Sequence, residues 1–196
     1  APYTYFNPYG GDTLRPPLPE MRYGREKQVQ LLLRMDGAAI VYGGRQLGKS
    51  TILQEVQLRF NQPGQHKYAF YEMLDKDLHR RLDVSKAAHE KARSTIWFSM
   101  YNNLVGAGLI KRTNITPSVD ECMRMVKQTI IDDKQSSFIV IFDEIDPILN
   151  VDSNHDFSIF RGLRDLVANH AVACRFKVII GWLENVKRFE NSPNSP

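Results

Sequence analysis

The stretch that decides the fold is Gly43-Gly44-Arg45-Gln46-Leu47-Gly48-Lys49-Ser50-Thr51. An apolar segment, 38–42, precedes it and predicts a buried strand, and the residues from Thr51 onward have the pattern of a helix. Glycines let backbone N–H groups converge on one point, and the N-terminus of a helix favours negative charge there. The stretch therefore predicts a phosphate-binding loop for a nucleoside triphosphate. In it Lys49 reaches the outer phosphates and Ser50 ligates Mg²⁺. The alternative is a chance glycine turn.

A second motif lies far downstream, where the apolar run Phe138-Ile139-Val140-Ile141-Phe142 ends in Asp143-Glu144. A strand that is apolar at every position is typical of a parallel sheet with helices on both faces. Because ligands bind at the carboxyl ends of such strands, we expect Asp143 to hold Mg²⁺ beside Ser50. Glu144 is then the expected base that orients and deprotonates an attacking water. The alternative is a solvated acidic turn after a core strand.

The remaining pattern alternates strands with helices, which predicts an α/β fold of three layers. The predicted strands are 38–42, 67–74, 138–142 and 176–181, and the main helices between them are 87–105, 118–132 and 156–170. The two motif strands are far enough apart for a whole strand–helix unit between them. That spacing suits the branch of phosphate-loop proteins with a glutamate after the Walker B aspartate, for which the expected order of the parallel sheet is 1-4-3-2.

In that order the end of the fourth strand lies between the two motifs. Asn185, in Gly181-Trp182-Leu183-Glu184-Asn185-Val186, is the better candidate there for a γ-phosphate sensor, because an amide can donate to phosphate and the Glu184 carboxylate would be repelled. The alternative is that Asn185 only caps a helix starting at Val186.

Composition restricts the other classes of function. The chain has 196 residues and a net charge of +4, but its Lys and Arg residues are scattered, so nucleic-acid binding is not favoured. The His and Cys residues make no metal-ligand spacing, and Cys122 and Cys174 are expected to be buried free thiols. With no signal peptide and no apolar run that could cross a bilayer, the expected location is cytoplasmic, without a membrane partner.

Residues 1–20 form a separate leader rich in Pro and aromatic residues, and residues 21–196 form the predicted nucleotide-binding domain. Prolines disfavour helices and interior strands in the leader. We expect its aromatic side chains to lie across the surface of the domain.

Four stretches together resemble the STAND-type ATPases, which are signal-transduction relatives of the AAA+ proteins in bacteria and archaea. They are Tyr23-Gly24-Arg25-Glu26, the loop from Tyr42 to Thr51, Ile141-Phe142-Asp143-Glu144-Ile145-Asp146, and the segment 181–189. The resemblance covers roughly residues 16–196. The two Walker motifs are specific for the P-loop superfamily, and the Gly-Arg-Glu box with this form of the loop narrows the resemblance to the STAND branch.

The resemblance implies a switch operated by ATP, ADP and Mg²⁺, in which ATP binding permits self-association of the parent protein. It implies that Tyr23, Gly24 and Arg25 lie near adenine and ribose. For Arg25, the alternative role is structural: its guanidinium group could simply pair with a helix carboxylate. The usual fifth strand and helical lid of the family do not follow the fourth strand here, so weak hydrolysis is expected from this stretch.

Three other functions share parts of this pattern. A DNA-associated ATPase, similar to origin-recognition or transposition regulators, shares the same core. A non-hydrolysing scaffold locked by nucleotide would use the leader and Trp97 as partner surfaces, although the helical spacing of Trp97 favours core packing. A small-molecule kinase is disfavoured by the Asp143-Glu144 pair and the long spacing between motifs.

Overall fold

The computed structural model describes residues 24–43, 48–74 and 85–182. The leader, the loop residues 44–47, the segment 75–84 and everything after Trp182 lie outside this part of the chain. The helices are α1 Glu26–Leu32, α2 Lys49–Phe60, α3 Lys86–Gly106, α4 Val119–Asp132, α5 Asp146–Asp152 and α6 Ser158–Val167. The strands are β1 Ala39–Tyr42, β2 Lys67–Met73, β3 Ser137–Asp143 and β4 Phe176–Trp182. Short 3₁₀ turns lie at Pro63–Gln65, Ser153–His155 and His170–Val172.

The strands form one parallel sheet in the order β1-β4-β3-β2. This confirms the predicted α/β class and the predicted strand order. Because all strands run the same way, β1, β3 and β4 deliver Gly43, Asp143 and Gly181 to the same edge of the sheet. Loops at that edge are where ligands bind in open parallel sheets.

Helices cover both faces of the sheet. On one face, α1 and α2 pack on β2, β3 and β4 through a core that includes Leu53, Val56, Ile141 and Ile179. On the other face lies a larger core built mainly from α3, α4, α5 and α6. Since β3 is sandwiched between these layers, its residues from Phe138 to Asp143 are all buried, which explains its unbroken apolar sequence.

The first strand differs from its prediction. Its residues alternate between half-buried and exposed, and Ile40 and Tyr42 have exposed fractions of 47% and 68%. The prediction of a buried strand is wrong for Ile40 and Tyr42, because β1 pairs only with β4, at one end of the described sheet.

The chain between β3 and β4 also differs from its prediction. The helix expected over 156–170 is shorter, because Asp156 and Phe157 adopt left-handed backbone conformations and a separate 3₁₀ turn ends the segment. The expectation that Cys174 is buried is wrong. Cys174 is exposed, in a left-handed turn with φ of 62°, whereas Cys122 is buried as predicted.

Trp97 lies in the core of the α3 layer and is 1% exposed. Its predicted core packing is confirmed, and a partner surface built on Trp97 is excluded. Within the described part of the chain, no helix has both the length and the apolar character needed to cross a membrane.

Candidate functional site

The N-terminus of α2 follows the predicted phosphate-binding loop. Gly48 precedes the helix with φ of 70°, a left-handed conformation that favours glycine. Lys49, which is 8% exposed, turns its ammonium group back so that Nζ donates to the Gly43 carbonyl oxygen over 2.6 Å. The two ends of the loop are therefore tied by a buried cation beside a helix N-terminus, an arrangement suited to an anion. The predicted loop residues Gly44, Arg45, Gln46 and Leu47 lie outside the described residues.

Asp143 ends β3 and is completely buried. Its Oδ1 accepts from the backbone N–H of Glu144 over 3.0 Å, and its Oδ2 accepts from the Tyr71 hydroxyl over 2.8 Å. A carboxylate that has no solvent exposure and accepts from two donors is not part of a solvated turn. The alternative of a solvated acidic turn after a core strand is therefore wrong for Asp143. Buried carboxylates of this kind are held in one orientation by their donors.

Glu144 turns the chain sharply after β3. Its φ is 56°, in the left-handed region that a residue with a Cβ adopts at a cost of about 1–2 kcal/mol. This left-handed conformation redirects the chain from the strand into α5, whose first residue is Asp146. Strained residues of this kind cluster at functional sites, so the observation supports a role for Glu144 without defining it.

Tyr71, on β2, connects the two halves of the site, and the sequence patterns did not single it out. Its hydroxyl donates to Asp143 Oδ2, and the side chains of Ser50 and Gln54 at the start of α2 lie near enough to the phenol to affect its pKa. Burial raises the pKa of Tyr71 well above its usual value, and the negative charge of Asp143 and the hydrogen bond to it add to the rise. The nearby side chains of Ser50 and Gln54 act in the opposite direction and lower the pKa of Tyr71. Tyr71 thus contacts Asp143, one of the two predicted Mg²⁺ ligands, and lies near Ser50, the other.

Gly181 is the second residue that the predictions missed. A Cβ built on it would lie 2.4 Å from Asp143 Oδ1 and 2.8 Å from the Leu53 Cδ1 atom. Only glycine at this position leaves room for the Asp143 carboxylate. A glycine inside an apolar strand marks close approach by another group. The sequence therefore indicated that some group approaches Gly181, but it did not indicate that this group is the Asp143 carboxylate.

A Gly181→Ala substitution is therefore expected to displace Asp143 and lower the stability of the domain by about 1–3 kcal/mol, the cost of overpacking a core. Urea unfolding followed by circular dichroism measures this change. Gly106→Ala is the matched control, since a Cβ there meets nothing within 4 Å. Equal unfolding midpoints for wild type and Gly181→Ala would contradict the crowding.

Arg25 lies against Gly48, and its predicted place near adenine and ribose stays a prediction. A Cβ built on Gly48 would come within 3.0 Å of Arg25 Nη1, so the guanidinium group is packed on the glycine that precedes α2. Gly24, with φ of 80°, forms the turn before it. Among the described residues, Arg59 makes ion pairs with helix carboxylates in this region, with Glu26 of α1 and with Glu55 of α2. These hydrogen bonds raise the pKa of Arg59 and fix α1 on α2.

Three more predicted residues have different outcomes. Thr51 lies in the first turn of α2 and lines a shallow depression together with Arg25 and Val29. Tyr23 and Asn185 lie outside the described residues, so the roles predicted for them stay predictions.

Another polar cluster, formed by His89, Asp152 and Ser158, resembles a nucleophilic triad in composition only. Asp152 Oδ1 and Ser158 Oγ both contact the same ring nitrogen, His89 Nε2, at 2.9 and 3.0 Å. A triad needs the acid and the nucleophile on opposite nitrogens. The carboxylate of Asp152 instead accepts from the backbone N–H groups of Ile159 and Phe160, so it caps the N-terminus of α6.

Comparison of the chain with models of protein families and with curated proteins gives no match. In the described residues no group of three or more His, Cys, Asp or Glu side chains could hold a metal ion. A divalent cation at this edge would take only a few protein ligands, with the rest from a bound phosphate and water, as Mg²⁺ does in nucleotide sites.

Proposed function

We propose that this chain binds ATP with Mg²⁺ at the carboxyl edge of its sheet and hydrolyses it, as the P-loop nucleotide-switch domain of a STAND-type protein. One observation carries the proposal. The helix α2, which begins with the buried Lys49 and with Ser50, packs on the same sheet whose strand β3 ends in the buried Asp143, although the two motifs are far apart in sequence. The phosphate-loop motif and the Asp143-Glu144 motif could each occur by chance, but both lie at the same edge of one sheet.

The nucleotide phosphates would lie in the loop between Gly43 and Ser50. Lys49 would exchange the Gly43 carbonyl oxygen for phosphate oxygens, since an ammonium group has a stronger hydrogen bond to an anion than to a neutral carbonyl. Tyr23, Gly24 and Arg25 would lie towards the base and ribose, and Thr51 would lie with the phosphate-binding loop. Asn185 would contact the γ-phosphate.

The side chains present fit a bound Mg²⁺. Ser50 and Asp143 supply a hydroxyl and a carboxylate oxygen, the hard donors that this ion prefers. When bound, Mg²⁺ would neutralise charge on the phosphate oxygens. Gly181 contributes by leaving space for the Asp143 carboxylate.

Glu144 would position a water in line with the γ-phosphate and accept its proton. The water oxygen bonds to phosphorus as the bond from phosphorus to the bridging oxygen of ADP breaks, so the products are ADP and inorganic phosphate. Lys49 stabilises the charge that develops on the phosphate oxygens. The ATP and ADP states would then differ in whether the parent protein self-associates.

Thermal stabilisation by nucleotide tests this proposal on the wild-type chain. ATP with Mg²⁺ at about one hundred times its Kd is expected to stabilise the fold by about 2.7 kcal/mol, because ligand binds only the folded state. Differential scanning fluorimetry with ATP, with ADP and with adenosine measures the shift in Tm. Adenosine, which lacks phosphates, is the control, and an unchanged Tm with ATP would contradict the proposal.

A further inference from the structure

Asp143 is a buried carboxylate without a positively charged side chain beside it. It has no solvent exposure, yet within the described part of the chain no Lys, Arg or His forms an ion pair with it. Its two donors are both neutral, namely the Glu144 N–H at 3.0 Å and the Tyr71 hydroxyl at 2.8 Å. A buried carboxylate that lacks a counter-ion is unfavourable, and a bound cation relieves that cost.

Three neighbours fix the orientation of this carboxylate. The Glu144 N–H donates to Oδ1, and Oδ1 lies 2.4 Å from the place that a Cβ on Gly181 would take. The Tyr71 hydroxyl donates to Oδ2. Since Glu144 is the next residue in the chain, Tyr71 is the donor that ties the carboxylate to a neighbouring strand. Loss of this hydroxyl would leave Oδ2 without its donor and the carboxylate with more freedom to turn about its Cβ–Cγ bond.

The phenol orients Asp143 without cancelling its charge. A carboxylate has about four lone-pair sites, and the two hydrogen bonds use two of them, so lone pairs remain for a cation. A Lys or Arg in the place of Tyr71 would also hold the carboxylate, but its positive charge would repel a metal ion. Hydrogen-bond partners that orient a metal ligand in this way typically contribute about 10–100-fold to metal affinity.

We propose that the Tyr71 hydroxyl is a positioning group, which holds Asp143 in the orientation that ligates the divalent cation and so raises the affinity of the site for metal. The inference rests on the proposed nucleotide site and adds to it a residue that the sequence patterns did not single out. Tyr71 acts through Asp143. It therefore affects the part of nucleotide binding that depends on metal and leaves the part that the loop and Lys49 supply.

The test is a Tyr71→Phe variant, which removes the hydroxyl and keeps the ring. The Kd of ADP is measured by isothermal titration, once with Mn²⁺ as the probe cation and once with a chelator. Because Mn²⁺ binds free ADP equally in every titration, a change in the ratio of the two Kd values belongs to the protein. We expect Mn²⁺ to tighten ADP binding about tenfold less in Tyr71→Phe than in wild type, with an unchanged Kd in chelator.

Two further variants complete the test. Tyr71→Met removes the same hydroxyl with a flexible apolar side chain and is expected to give the same result as Tyr71→Phe. Tyr68→Phe is the matched control. Tyr68 is on the same strand, but its ring packs on Phe70 and Phe138 at the other face of the sheet, so both of its Kd values should equal those of wild type.

The possible results separate the positioning role from the site on which it rests. A Mn²⁺ effect of wild-type size in both Tyr71 variants overturns the positioning role alone. A Kd in chelator that rises as much as the Kd with Mn²⁺ also overturns it, because the hydroxyl then supports only the fold. Wild-type binding of ADP that does not respond to Mn²⁺ overturns the positioning role and the assignment of Asp143 to the cation. No binding of ADP by wild type overturns the proposed nucleotide site as well.

Discussion

A Glu144→Gln variant is expected to bind ATP with the affinity of wild type and to release phosphate at least about 100-fold more slowly, since a positioned base contributes 10²–10⁴-fold to such reactions. The amide has the shape of the carboxylate but cannot accept the proton of the attacking water. The backbone at Glu144 is left-handed, and Gln meets the same strain there as Glu. The change should therefore leave the stability of the fold unaltered.

Phosphate release under single-turnover conditions measures this effect separately from product dissociation. Glu121→Gln, an isosteric change at an exposed position in the first turn of α4, is the control and should behave as wild type. If Glu144→Gln released phosphate at the wild-type rate, Glu144 would not be the base, while the proposed binding of ATP would still stand.

A Lys49→Ala variant is expected to lose ATP binding, with a Kd raised at least about 100-fold. Lys49 is a nearly buried ammonium group whose present partner is the Gly43 carbonyl at the start of the loop. A hydrogen bond between charged groups contributes about 1.5–3 kcal/mol, and loss of the cation also leaves the phosphate charge unbalanced in a partly buried site. Both losses destabilise the complex of the protein with ATP.

Titration with a fluorescent ATP analogue measures the loss. Lys86→Ala, which removes an exposed lysine at the first residue of α3, is the control for the general effect of one positive charge. A Lys49→Ala variant that kept its affinity would refute the assignment of the loop. Loss of affinity in Lys86→Ala as well would indicate non-specific attraction to the anion.

The architecture was predictable because its signals are local. The unbroken apolar run of β3 indicates a strand buried on both faces, and the alternation of strands with helices indicates a parallel sheet. Ser118 caps α4 by accepting from the Glu121 N–H, as a serine before a helical pattern indicates. The strand order was expected from the spacing of the two motifs, and the sheet has that order.

The features that the sequence did not predict depend on contacts between residues that are far apart in the chain. Tyr71 reaches Asp143 because β2 and β3 pair with Met73 opposite Asp143, which places Tyr71 two residues back on the same face. Gly181 matters only because β4 lies beside β3, where its missing Cβ leaves room for a carboxylate. The exposure of Ile40 likewise follows from the position of β1 at one end of the described sheet. None of these facts is visible in a window of a few residues.

The most direct test of the central claim is isothermal titration of the wild-type chain with a non-hydrolysable ATP analogue, once with Mg²⁺ and once with a chelator. The account predicts one nucleotide per chain, with tighter binding when Mg²⁺ is present, because Ser50 and Asp143 then share the cation with the phosphates. An absence of binding heat at any analogue concentration, together with an unchanged Tm, would contradict the claim that the loop at Gly43 and the carboxylate of Asp143 form one nucleotide site.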